Sequence, residues 1–231
     1  MAPNEYPPNT PREPAHDDIW DGQAYDAWFD STRGAVLFRI ESSAILRELS
    51  PARGQTILEV GCGTGRLLRA ITAAGAAVIG IDPGPGMLKV AAHSGSGPLI
   101  RSRGEMLPFP DGCFDATVAM TVLEFVDDVP ATVSEMARVT RAGGRIVIGS
   151  LNPVSPWGVR LLRQIHQAPW NEARFPARHA LVSKLTPFGR TRVTGVALGG
   201  HVISTLAGGQ RGRRPWLEQF CGFQVVACTK G

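Results

Sequence analysis

The sequence lacks the marks of several common protein classes. Its four cysteines, Cys62, Cys113, Cys221 and Cys228, form no C-x-x-C pair and no secreted-type spacing, which argues against a disulfide scaffold. Cys221 and Cys228 lie in an apolar stretch and read as buried thiols. The five histidines, at 16, 93, 166, 179 and 201, are scattered, and none stands with cysteine at zinc spacing, so no metal is expected. No apolar run approaches the ~20 residues of a bilayer-spanning helix. No basic segment followed by an apolar one opens the chain as a secretory leader would. The expectation is a soluble, cytoplasmic protein without a membrane span. There is no internal repeat. What is present is ordinary for a globular core: 43% apolar and 19% charged residues. A length of 231 residues suits one large domain, with or without added caps. The net charge of +4 permits contact with nucleic acid or acidic lipid, but solubility alone is the preferred reading of so mild a balance.

Residues 1–15 carry five prolines and almost nothing to bury, which reads as a disordered or polyproline-like tail. Helical spacing follows from Ile19 to Leu49: an aromatic cluster of Trp20, Tyr25, Trp28 and Phe29, then Val36, Leu37, Ile40, Ala44 and Ile45, closed by Pro51. From Thr56 short β-branched runs alternate with helical segments. Strands are predicted at Thr56–Val60, Ala77–Ile81, Pro98–Arg101, Phe114–Met120 and Arg145–Gly149. Helices are predicted around Leu67, Leu68 and Ile71, over Met87–Ala92, and from Asp127 and Asp128 to a stop at Gly143-Gly144. Beyond Ser150 the pattern blurs. A helix through Trp157, Leu161, Leu162 and Ile165, a short one over Ala180–Leu185, and closing strands at Thr191–Ala197 and Phe223–Thr229 complete it. Such alternation predicts a doubly wound, Rossmann-like, seven-stranded and mostly parallel α/β sheet with helices on both faces. Ligands of such sheets bind at the carboxyl ends of the strands.

The glycine run Gly61-Cys62-Gly63-Thr64-Gly65 falls between the first strand and its helix. Glycine there lets the backbone turn tightly and approach a ligand without a Cβ in the way. Asp82 ends the second strand, 17 positions after Gly65. A carboxylate at that place suits a ribose diol, and a turn aspartate before Pro83 is the plainer alternative.

These residues carry a resemblance. Glu59–Leu68 resembles motif I of class I S-adenosylmethionine-dependent methyltransferases, and Gly80–Leu88 resembles the acidic motif that follows it. Gly104–Asp115, with Leu107-Pro108-Phe109-Pro110-Asp111, resembles a segment of the type 11 subgroup. Val122–Val126 and Arg138–Arg145 continue the match, which covers roughly residues 55–150 in order. The resemblance implies that S-adenosylmethionine is the cofactor. It assigns Gly61 and Gly63 to a backbone platform, Asp82 to the ribose, and Met87 to packing near adenine. Met120 becomes a backbone contact to the methionine moiety, and Glu59 orients the glycine loop and favours a cationic ligand. Gly104 and Glu105 fall in the adenine-side segment. Tyr25, within Tyr25-Asp26-Ala27-Trp28-Phe29, matches a tyrosine that closes over the cofactor, although such a cluster also serves as packing. The chain departs from the pattern at Arg103, where the family often places an aspartate for the adenine amine. Arginine has no acceptor.

The implied chemistry is an in-line displacement from a sulfonium, which needs alignment and exclusion of water more than a dedicated base. No catalytic residue is assigned. Glu124 stands near the expected acceptor but reads equally as a solvated carboxylate, and His166 and His179 read more readily as surface or packing. After the fourth strand Met120-Thr121-Val122-Leu123 stands where an N-P-P-Y motif would mark methylation of nucleic-acid bases. The resulting division has a lid at 16–50, a cofactor core at 55–150, a substrate-cap insert at 151–190 and closing strands at 191–231. In the insert, Trp157, Trp170, Phe175, Arg160, Arg163, Arg174 and His166 suit an acceptor pocket. Gln210–Trp216 is a basic stretch able to touch phosphates, with a solvated loop the preferred reading. A small-molecule acceptor leads. An RNA or protein methyltransferase, or a non-catalytic cofactor-binding domain, remains as the alternative. The oligomeric state is not legible.

Overall fold

The computed structural model describes residues 20–156, 158–159, 173–196 and 221–231. The tail at 1–15, the helix through Trp157 and Ile165, the side chains of Arg160, Arg163, His166 and Trp170, and the basic stretch at 210–216 lie outside the described residues.

Seven strands form one sheet: β1 (Thr56–Val60), β2 (Ala77–Asp82), β3 (Leu99–Arg101), β4 (Phe114–Met120), β5 (Thr140–Leu151), β6 (Gly189–Val196) and β7 (Phe223–Lys230). Their spatial order is β3-β2-β1-β4-β5-β7-β6. β3 through β5 run parallel, while β7 pairs antiparallel with both β5 and β6. The sheet is therefore seven-stranded and mostly parallel, as the alternation predicts. The reversal between β1 and β4 places a switch point beside the glycine loop.

Both faces are covered, which is why the strands read as nearly continuous apolar runs. On one face Ile57, Val118, Val147 and Val225 meet α2 (Thr32–Leu49) through Ile45 and Leu49, and α3 (Arg66–Ala73) through Leu67, Leu68 and Ile71. On the other, Leu58, Ile146, Ile148 and Val226 meet α5 (Val129–Val139) through Val133, Met136 and Ala137. α6 (Arg178–Leu185) joins that face through Leu181 and Leu185. Each fully buried Leu or Ile contributes about 1.5–3 kcal/mol.

Several boundaries differ from the sequence reading, and three of them have a local physical reason. The long helical stretch before Pro51 breaks at Ser31 into α1 (Gly22–Asp30) and α2, because the Ser31 hydroxyl caps α2 by accepting from the Gly34 amide at 3.1 Å. The helix expected to stop at Gly143-Gly144 ends at Val139. Thr140, whose hydroxyl donates to the Met136 carbonyl at 2.7 Å, is extended and begins β5, so the two glycines fall inside that strand. Last, α4 (Pro85–His93) begins two residues before Met87, with Pro85 in its first turn where no N–H is required.

Cys228 is buried, Cys221 half-buried and Cys113 exposed. No helix among the described residues is long and apolar enough to cross a membrane. No His, Cys, Asp and Glu group among them is arranged to hold a metal ion.

Candidate functional site

The loop after β1 is built on positive φ: Gly61 at 70°, Gly63 at 52° and Gly65 at 79°. Gly61 is required twice over, since a Cβ there would lie 2.3 Å from Val122 Cγ2. Asp82, at the end of β2, ties two loops together. Its Oδ2 accepts from the Gly63 amide at 2.9 Å and its Oδ1 from the Gly84 amide at 2.8 Å. These two bonds fix the orientation of the carboxylate beside the loop. The turn-aspartate alternative thus describes part of what Asp82 does.

A cleft runs across the carboxyl ends of the central strands. Its floor is Gly61, Gly63 and Met120, and one wall is Asp82, Pro83, Gly84 and Met87. The segment Ser102–Glu105 and the segment Phe125–Asp127 close the far end, and Trp20 and Tyr25 line it from the N-terminal side. An adjoining recess is lined by Glu59, Arg66, Phe29 and Phe38, and shares Tyr25, Gly61, Gly63 and Met120 with the cleft. The structure therefore brings Gly61, Gly63, Asp82, Met87, Gly104, Glu105, Met120 and Tyr25 to one cleft, with Glu59 in the recess beside it.

Glu59 is buried, and its Oε2 has no hydrogen-bond partner. Burial first, and the Asp82 charge second, push its carboxyl well above the usual range, against a smaller pull from Arg69. A buried orphan oxygen of this kind is costly unless a donor or cation meets it. Tyr25 packs edge-on against Trp20 and Phe29, with ring centroids 5.2 and 5.1 Å apart. Burial and the charges of Glu41, Asp82 and Glu59 raise its hydroxyl well above an ordinary phenol.

Behind Tyr25, α1 is fastened to the glycine loop. Asp26 Oδ1 accepts from Arg66 Nε at 2.6 Å and from the Thr64 hydroxyl at 2.8 Å, and Arg66 reaches Asp30 as well. Burial raises the Asp26 carboxyl, but the hydrogen bonds from Arg66 and Thr64 outweigh it and hold the group below its ordinary value. This network is invisible in the sequence because its members lie 38 and 40 positions apart.

Further outcomes concern residues singled out above. Arg103 pairs with Asp127 at 2.8 Å. Glu105 lines the cleft, and its Oε1 accepts from the amides of Asp127 and Asp128 at 2.9 and 3.3 Å. Glu124 is not a solvated carboxylate: it is fully buried, and its Oε1 accepts from the Ser150 hydroxyl and the Leu151 amide, each at 2.9 Å. Burial lifts its pKa to about 7 against those hydrogen bonds. Sequence reasoning missed this because the partners arrive from the end of β5. His179 is exposed on α6. Of the insert residues, Arg174 gives its backbone amide to the Glu124 carbonyl at 2.7 Å, and Phe175 packs against the core.

Comparison with known proteins adds likenesses. Residues 58–148 match the family described as "Methyltransferase domain". A demethylmenaquinone methyltransferase of Corynebacterium kroppenstedtii is 34% identical over 138 residues, 58% of each chain. The chain spans about half the length of the curated relatives it matches, 43% and 58% in two of them. Among solved structures, an S-adenosylmethionine-dependent methyltransferase of Thermotoga maritima, named as a possible histamine N-methyltransferase, superposes with a TM-score of 0.71. It is 22% identical, with 94% of this chain and 99% of that one covered. A geranyl diphosphate C-methyltransferase of Streptomyces coelicolor, solved with S-adenosyl-L-homocysteine, gives 0.61 at 18% identity, covering 85% and 80%. At these identities the structures speak for the fold.

Proposed function

We propose that this chain, whose residues 58–148 match a family described as a methyltransferase domain, is a class I S-adenosylmethionine-dependent methyltransferase that transfers the cofactor's methyl group to a small-molecule acceptor. The orphan Glu59 Oε2 carries the cofactor half of the reading, because a buried carboxylate oxygen without a donor suits a ligand with cationic groups. In this reading Gly61 and Gly63 bring their backbone close to the ligand's amino-acid end, the Gly63 amide itself staying on Asp82. Asp82 accepts from the ribose hydroxyls, Met87 packs on the base, and Gly104 and Glu105 shape the base-binding end. The Met120 backbone contacts the methionine moiety, and Tyr25 covers it. The bound cofactor supplies a methyl on a positively charged sulfur whose departing group is a neutral thioether. The protein's part is to orient and to exclude water. Trp20 and Tyr25, with Phe125 in edge-on contact with Trp20 at 5.1 Å, supply an aromatic wall for that purpose.

The single observation that favours a small acceptor is the apolar part of this cleft, where Trp20, Val122, Phe125 and Val126 lie together in its lining. The name of the quinone-related relative is in keeping with that class. The insert and the N-terminal helices are the segments we assign to acceptor choice and to closure over the cofactor. Incubating the protein with tritiated-methyl S-adenosylmethionine and host-cell extract, then separating protein, RNA and small molecules, tests the reading. Label is expected in the small-molecule fraction. Label confined to RNA or protein would replace the acceptor class, and absence of label from every fraction would leave a binding domain without transfer.

A further inference from the structure

The amino-acid end of the cofactor carries two charges of opposite sign, and the roles above supply a partner for one of them. Glu59 Oε2 suits the ammonium. The carboxylate needs donors. Of the described residues that line the cleft and its recess, two are cations, Arg66 and Arg103. Arg103 stands at the far end of the cleft with Asp127. Arg66 stands in the recess, which also holds Glu59 and shares Gly61 and Gly63 with the cleft.

Arg66 is held along one edge. Its Nε donates to Asp26 Oδ1 at 2.6 Å, and its Nη2 donates to the Asp26 carbonyl at 2.8 Å and to Asp30 Oδ1 at 2.6 Å. A guanidinium has five N–H donors. The two on Nη1 meet no acceptor among the described residues. Water would serve them on an open surface, but this side chain keeps 18% of its exposure, and Phe29 lies against it with 5.6 Å between guanidinium carbon and ring centroid. A half-enclosed cationic donor of this kind favours an anion beside it.

The hydroxyls of the recess are engaged or badly placed for that anion. The Thr64 hydroxyl donates to Asp26 Oδ1 and the Thr121 hydroxyl to the Met120 carbonyl, each at 2.8 Å. The Tyr25 hydroxyl lies among the charges of Glu41, Asp82 and Glu59, which repel a further carboxylate. Gly65 gives α3 no side-chain cap, so the positive end of that helix, where Arg66 stands, adds to the pull on an anion.

We infer that Arg66 Nη1 receives the carboxylate of the cofactor's amino-acid end while Glu59 meets its ammonium, so that the recess reads a zwitterion. The inference rests on the cofactor assigned above. Arg66 then joins two tasks, since the guanidinium that holds the ligand at one edge holds α1 at the other through Asp26 and Asp30. A planar fork suits this double use because its edges point in fixed and separate directions.

The test compares binding of S-adenosylhomocysteine with that of its decarboxylated analogue, which keeps the amine, by calorimetry on the full chain. The wild type is expected to prefer the carboxylate about ten- to a hundredfold. Arg66→Met should bring the preference to within about threefold, and Arg66→Lys should restore part of it. Asp26→Ala loosens α1 but keeps Nη1, so most of the preference should survive. Glu59→Gln should weaken both ligands, which share the amine, and leave their ratio standing. An Arg66→Met variant with unchanged preference overturns the inference alone, as does one that loses both ligands equally. So does an Asp26→Ala variant whose preference falls as far as that of Arg66→Met, because the closed helix would then be the cause. A wild type that binds neither ligand overturns the cofactor assignment together with the inference.

Discussion

Glu59, the penultimate residue of β1, and Glu124, four residues past β4, are both buried carboxylates with an Oε2 lacking a partner. Their surroundings differ. Glu59 borders a recess continuous with the cleft, so a ligand can complete its hydrogen bonding. Glu124 is enclosed: Ser150 and Leu151 hold its other oxygen, and the Arg174 amide caps its own carbonyl. In the reading proposed above, the same residue type near the carboxyl ends of neighbouring strands serves a ligand in one case, and in the other it joins the segment after β4 to β5 and the following insert. Access, and not chemistry alone, separates a binding carboxylate from a structural one.

The largest expected effect sharpens this contrast. Glu59→Gln should weaken S-adenosylmethionine binding about ten- to a hundredfold in calorimetry, since a charge-assisted contact is worth about 1.5–3 kcal/mol. Glu124→Gln should leave it within about twofold. Equal losses from the two variants would erase the distinction.

A smaller effect appears in stability. Glu124 has a folded pKa of about 7, raised by burial above the ordinary value of 4.5. Between those values the folded protein keeps a proton that the unfolded chain has released, so stability falls as pH rises across the window, by about 3 kcal/mol in all. Glu41, raised by burial and by Glu124 to about 8, extends the same trend upward. Scanning calorimetry at pH 5 and pH 8 should therefore find Glu124→Gln losing about 5 °C less in Tm than the wild type over that interval. A parallel decline in both proteins would mean that Glu124 stays ionised in its buried site.

The smallest effect concerns the N-terminal side of the cleft. Asp26→Ala removes the link among Arg66, Thr64 and α1, a partly exposed ion pair worth about 1 kcal/mol. Stopped-flow release of S-adenosylhomocysteine should accelerate several-fold, with Tm changed by only a few degrees. An unchanged release rate would show that fastening α1 has no bearing on the ligand.

Much of the central architecture was legible in the sequence because its signals are local. β-branched runs mark β1 and β2, and the glycines of Gly61–Gly65 announce the turn between β1 and α3. The Ser31 cap was legible in principle, since a serine two residues after Phe29 carries its own signal. Other features depend on partners distant in the chain. The burial of Glu124 needs Ser150 and Leu151, and the setting of Arg103 needs Asp127, 24 positions away. Gly143-Gly144 misled because a glycine pair marks a helix end or a strand irregularity with equal force, and the Thr140 hydroxyl had already ended α5.

The position of β7 bears on how the protein is made. β7 follows β6 along the chain yet lies between β5 and β6 in the sheet. During synthesis, then, β6 emerges with no strand to pair with, and β5 waits with one edge open until Phe223–Lys230 arrives. The β5 edge is apolar, with Ile146, Val147 and Ile148 all fully buried once the sheet is complete. A nascent or shortened chain that stops before Phe223 thus exposes an unpaired hydrophobic strand, the kind of edge on which chains associate with one another. β6 can join the sheet only through β7.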